Sequence, residues 1–69
     1  MINRAAFATA VEEYLYCELT TCHINSESLM NRYDELSEDG SDRSVKMIGS
    51  IYSMMTGTIK RSKRELEAA

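Results

Sequence analysis

The sequence predicts an all-α protein, a small antiparallel helical bundle of three helices. Three observations lead there. The 69 residues contain no proline and only three glycines, which leaves little of the turn chemistry that a β protein needs. Alanine, glutamate, leucine and methionine, all good helix formers, are common. Apolar residues return at three- and four-residue steps in three separate stretches, the spacing of one helix face.

The first predicted helix covers residues 4–20 and takes Asn3 as its N-cap, since a short side-chain oxygen there accepts from an otherwise unpaired amide. Phe7, Val11, Tyr14, Leu15 and Leu19 make its apolar face, and Ala6, Ala10 and Cys17 beside it are small enough for close packing. Residues 20–26 are a run of poor helix formers that separates it from the next.

Asn25 or Ser26 caps a second helix over 27–38, with Leu29, Met30, Tyr33 and Leu36 on one side. The segment from Glu38 to Asp42 supplies a stop and a restart. Gly40 suits a left-handed C-terminal cap, and Ser41 or Asp42 suits the following N-cap.

The third helix, over 43–67, is the most amphipathic. Val45, Ile48, Tyr52, Met55, Ile59 and Leu66 form its seam, interrupted by Ser62; Met47, Ile51 and Met54 widen it to roughly half the helix circumference. Gly49, Ser53 and Gly57 repeat every four residues on the opposite side, and Thr56-Gly57-Thr58 is the expected place for a bend or frayed end.

An alternative architecture is a two-helix hairpin. Residues 4–39 written as one unbroken helix keep their apolar face in phase, and such a hairpin closes its core only by dimerising into a four-helix bundle. The low helix propensity of residues 20–26 favours three helices.

Sixty-nine residues form a single domain that buries about 60% of its extended surface, so stability is marginal. Self-association into a homodimer is the expected remedy. The apolar residues assigned to a protein interface are Val45, Met47, Ile48, Ile51, Tyr52, Met54, Met55 and Ile59. Methionine adapts to irregular partner surfaces, although the same residues serve equally well as core filling.

Net charge is −3 but unevenly placed: residues 1–42 carry nine acids against Arg4 and Arg32, and residues 43–69 carry six bases against Glu65 and Glu67. No apolar run approaches a membrane span, and Glu12 and Glu13 close the short apolar stretch near the start, unlike a signal peptide. A cytoplasmic location is expected, with Cys17 and Cys22 reduced; on a continuous helix they diverge by roughly 140°.

Chemistry-bearing patterns are weak. Cys22-His23 are sequence neighbours that point apart, without an orienting third group. Cys17, Cys22 and His23 match no common zinc spacing and lack a fourth ligand. The acid pairs Glu12-Glu13 and Asp34-Glu35 diverge on a helix and share no site. No enzyme, cofactor or small-molecule substrate is expected. A helix-turn-helix is disfavoured too, because the stretch after Arg43 is largely apolar where base-reading groups belong.

The expectation is therefore a non-enzymatic protein that binds another protein stoichiometrically, as an inhibitor or adaptor. Small acidic helical proteins without motifs are often accessory proteins of phages or mobile elements, and by that association such an origin is expected here. The acidic face of the second helix, Glu27, Asp34, Glu35, Glu38 and Asp39, is the expected polar contact, fitted to a basic groove on a nucleic-acid-processing protein. The alternative is a dimeric nucleic-acid-binding regulator that uses Arg43, Lys46, Lys60, Arg61, Lys63 and Arg64. Against that, charge in the last turns also favours the helix macrodipole, and Arg61–Glu65 and Lys63–Glu67 are spaced for i,i+4 pairs.

Overall fold

Three helices follow one another in the computed structural model, which describes residues 1–17 and 25–68. They are α1 (Arg4–Leu15), α2 (Ser26–Asp39) and α3 (Asp42–Ala68), and each packs against the other two. The chain is thus a three-helix bundle, not a hairpin that needs a second copy to close its core.

Local capping chemistry sets the boundaries. The Asn3 side chain accepts from the Ala6 amide at 2.8 Å and opens α1; Asn25 does the same for α2 through the Ser28 amide, also at 2.8 Å. Gly40 closes α2 at φ 66°, left-handed, and its amide donates to the Leu36 carbonyl at 3.1 Å. The hydroxyl of Ser41 then accepts from the Ser44 amide at 3.2 Å and starts α3.

α1 differs from its expected range. It ends at Leu15, with Tyr16 as C-cap, where 4–20 was expected. The expected positions of Leu19, Cys22 and His23, and the residue 20–24 part of the weak run, lie outside the described residues. α3 passes through Thr56-Gly57-Thr58 as continuous helix, without the expected fraying. The Thr56 hydroxyl donates back to the Ser53 carbonyl at 3.2 Å, and Thr58 is buried against the core.

The core joins Phe7, Ala10, Val11 and Tyr14 of α1 to Tyr33 and Leu36 of α2 and to Ile48, Met55 and Ile59 of α3. Phe7 is fully buried, and its ring lies 4.8 Å from that of Tyr33 at 43°. The first residues of α1 meet the second half of α2: Arg4 pairs with Asp34, and the Tyr33 hydroxyl donates to the Ile2 carbonyl at 2.7 Å. Successive helices are therefore antiparallel, and α1 and α3 run the same way. At 27 residues α3 is about 40 Å long, twice its neighbours, which accounts for the 43 × 20 × 18 Å shape.

Candidate functional site

Three helices packed pairwise leave each one an outward face. On α2 that face carries Glu27, Asp34, Glu35 and Glu38, all exposed and within roughly 100° of one another around the helix, with Asp39 exposed at its end. These are the acids expected there, and the structure turns all of them away from the core.

Two of them are held by neighbours. Asp34 receives Arg4 Nε at 2.9 Å and Arg4 Nη2 at 3.3 Å, a two-pronged contact across thirty residues. That contact holds the Asp34 carboxyl below its ordinary range and raises the guanidinium further. Asp39 accepts hydrogen bonds from the Ser41 and Ser44 hydroxyls, both at 2.5 Å, and these lower its carboxyl in turn. Glu35 lies 3.7 Å from Arg32, an exposed contact that contributes little. Glu27 and Glu38 have no ion-pair partner among the described residues.

The outward face of α3 has the opposite sign. Arg43, Lys46, Lys60, Arg61, Lys63 and Arg64 are all exposed, and none forms an ion pair among the described residues. The expected Arg61–Glu65 and Lys63–Glu67 pairs are not formed; Arg61 Nη2 instead donates to the Thr58 hydroxyl at 3.4 Å. Between Arg43 and Arg64 the helix contains no acidic residue. Gly49, Ser53 and Gly57 lie along this outward side, and a methyl group added at either glycine would meet no other atom within 4 Å.

The eight apolar residues assigned to an interface divide. Ile48, Met55 and Ile59 lie in the chain's own core, covered by α1 and α2, and are not surface groups. Val45, Met47, Ile51 and Tyr52 are half-buried. Of the large apolar side chains on α3, Met54 at 47% and Leu66 at 62% are the exposed ones among the described residues. The apolar seam that asked for a cover thus finds most of it within the same chain.

Buried hydroxyls are the feature that sequence reasoning undervalued. Ser44, Thr58 and Ser62 sit at 6–8% exposure along the core side of α3. Ser62 was visible as the polar break in the seam. Ser44 lies on the same line eighteen residues earlier but ahead of the first apolar residue of the seam, so it interrupts nothing, and Thr58 falls next to the repeat.

Cys17 is a free, half-buried thiol whose Sγ donates to the Glu13 carbonyl at 3.3 Å. Among the described residues no cluster of His, Cys, Asp and Glu is arranged to hold a metal, and no cavity is enclosed. No helix among them is long and apolar enough to cross a membrane. No protein-family model, curated protein or solved structure matches the chain.

Proposed function

We propose that this is a non-enzymatic binding protein, an inhibitor or adaptor that acts stoichiometrically by laying the acidic outer face of α2 into a basic groove of a nucleic-acid-processing protein. One observation carries the reading. Glu27, Asp34, Glu35 and Glu38 share a single outward sector of a regular helix, spread over about 16 Å. A rigid row of carboxylates at that spacing offers a cationic groove the charge it meets on a phosphate backbone. Long-range attraction would then speed the encounter, and a rim of charge would set orientation more than affinity.

The bundle suits that role. Arg4 fixes Asp34, and the Ser41 and Ser44 hydroxyls fix Asp39, so two of the carboxylates are pre-set and lose little freedom on binding. Glu27, Glu35 and Glu38 remain for the partner.

The test is affinity capture from lysate of the expressing cells, with the wild type beside an E27K/E35K/E38K variant. These side chains are exposed, so the variant should fold. The wild type is expected to retain a partner in a defined ratio, measured by light scattering of the isolated complex, and the variant to lose it at low salt. A variant that retains the same partner equally well at low salt rejects the acidic contact.

A further inference from the structure

The basic residues of α3 are not scattered around it. Arg43 and Lys46 are separated by one turn, and Arg61 and Arg64 repeat that pair eighteen residues later. Eighteen residues are five full turns, so the second pair lies on the same line of the helix as the first, about 27 Å away. Lys60 borders the second pair within the same sector of roughly 100°, while Lys63 lies on the flank, about 100° round from Arg64. All are exposed; the stretch between them has no acid, and the one carboxylate on the sector is Asp42, at its N-terminal end beside Arg43 and four residues before Lys46.

What lies between the two pairs is low except along one border, where Met54 is exposed about 20° beyond the Arg43–Arg61 line. Ser50 and Ser53 are exposed on that sector, Gly57 falls within it and Gly49 at its border. Neither glycine is needed by the chain's own packing, since a Cβ at either would enter open space. Two positively charged ends flanking a shallow middle exclude a second copy of α3 on this face. In a parallel or an antiparallel pairing centred on Ser53, bases would face bases.

We infer that this face of α3 docks on double-stranded DNA, straddling its major groove, with Arg43 and Lys46 on one phosphate backbone and Lys60, Arg61 and Arg64 on the other. Charge complementarity selects the occupant: two basic clusters held apart on a rigid rod match two parallel rows of phosphates. The major groove is about 12 Å wide, and with the backbones that rim it the span suits pairs about 27 Å apart whose long side chains reach inward. Short side chains in the middle let the rod approach closely and include no Arg, Asn or Gln for two-pronged base contacts, so recognition is by backbone more than by sequence. The residues are distinct from the α2 acids, so the two surfaces stand or fall separately.

Fluorescence anisotropy of the full chain with a short labelled duplex of arbitrary sequence tests the inference. Five phosphate contacts predict that raising salt from about 50 to 200 mM weakens binding roughly 500-fold. R61Q/R64Q and R43Q/K46Q should each make the logarithmic salt dependence shallower by about 2, whereas K63Q should leave it unchanged. S53W, at an exposed position, should weaken binding at least about tenfold by holding the helix off the groove, with an unaltered melting curve. The inference is overturned if the wild type shows no duplex binding at low salt, or if K63Q costs as much as a loss within either cluster. It is overturned equally if single strands bind as tightly as duplexes, or if poly-glutamate binds and the duplex does not, which would assign the face to an acidic protein. The wild-type salt dependence decides the matter even where a variant fails to fold.

Discussion

One substitution, glycine to alanine, should change stability in opposite directions at different places in this chain. At Gly49 and Gly57 the backbone is helical and an added methyl group meets nothing. Alanine there removes backbone freedom from the unfolded chain and gains helix propensity, about 0.8–1 kcal/mol at each site. The two sites are eight residues apart, about 12 Å along the axis, which is far enough for the gains to add. With an unfolding entropy of about 2.1 cal/mol/K per residue, each kcal/mol moves the Tm of 69 residues by about 7 °C. G49A/G57A should therefore melt roughly 11–14 °C above the wild type. At Gly40, with φ at 66°, the same methyl group is forced into a left-handed conformation that costs about 1–2 kcal/mol, a loss of roughly 7–14 °C. Thermal denaturation followed by circular dichroism reads all three. A G49A or G57A variant that melts at or below the wild type would refute the reasoning, because it would mean that these positions are not in open, continuous helix. A harmless G40A would refute the cap.

Other substitutions probe the core, the caps and the acid limb. F7A removes a fully buried ring from the centre of the bundle, and a loss of about 3–5 kcal/mol against a total of roughly 3–10 should leave the chain largely unfolded at 37 °C by circular dichroism. N25A deletes the side chain that accepts from the Ser28 amide and should cost about 1 kcal/mol in a urea titration, with the slope unchanged. Asp34 and Asp39 both have lowered carboxyl pKa values in the fold, so their contribution is complete above the ordinary aspartate value of about 3.9 and disappears as pH falls through the lowered ones. Tm should accordingly drop on acidification below about pH 4, and D39A should flatten that drop; an acid limb identical to wild type would count against the Ser41 and Ser44 contacts.

Caps were the most legible part of this sequence. Asn3, Asn25 and Gly40 act on amides and carbonyls three or four residues away, so a short window contains both the cause and the effect. Long-range contacts were not legible. The partner of Asp34 is Arg4, thirty residues distant, and only the antiparallel packing of α1 on α2 brings them together. The expected Arg61–Glu65 and Lys63–Glu67 pairs follow from spacing alone, but with the base preceding the acid, the weaker order on a helix, they did not form. Periodicity showed that one side of α3 is apolar without showing which molecule covers it. Ile48, Met55 and Ile59 are covered by the chain itself, and Met54 and Leu66 are not. The charged faces stood closer to what the sequence announced, since no folding step asks a lysine or glutamate to leave the surface.

The bond from the Tyr33 hydroxyl to the Ile2 carbonyl gives the opening tripeptide a structural duty. Tyr33 is nearly sealed from solvent, Ile2 packs on the core, and Asn3 caps α1, so trimming Met1-Ile2-Asn3 would strip an acceptor from a hidden phenol and a cap from a helix in a single cut. Met1 itself points outward. Lengthening the chain at this end, as an affinity tag does, should be harmless, whereas shortening it by three residues should unlatch the whole bundle.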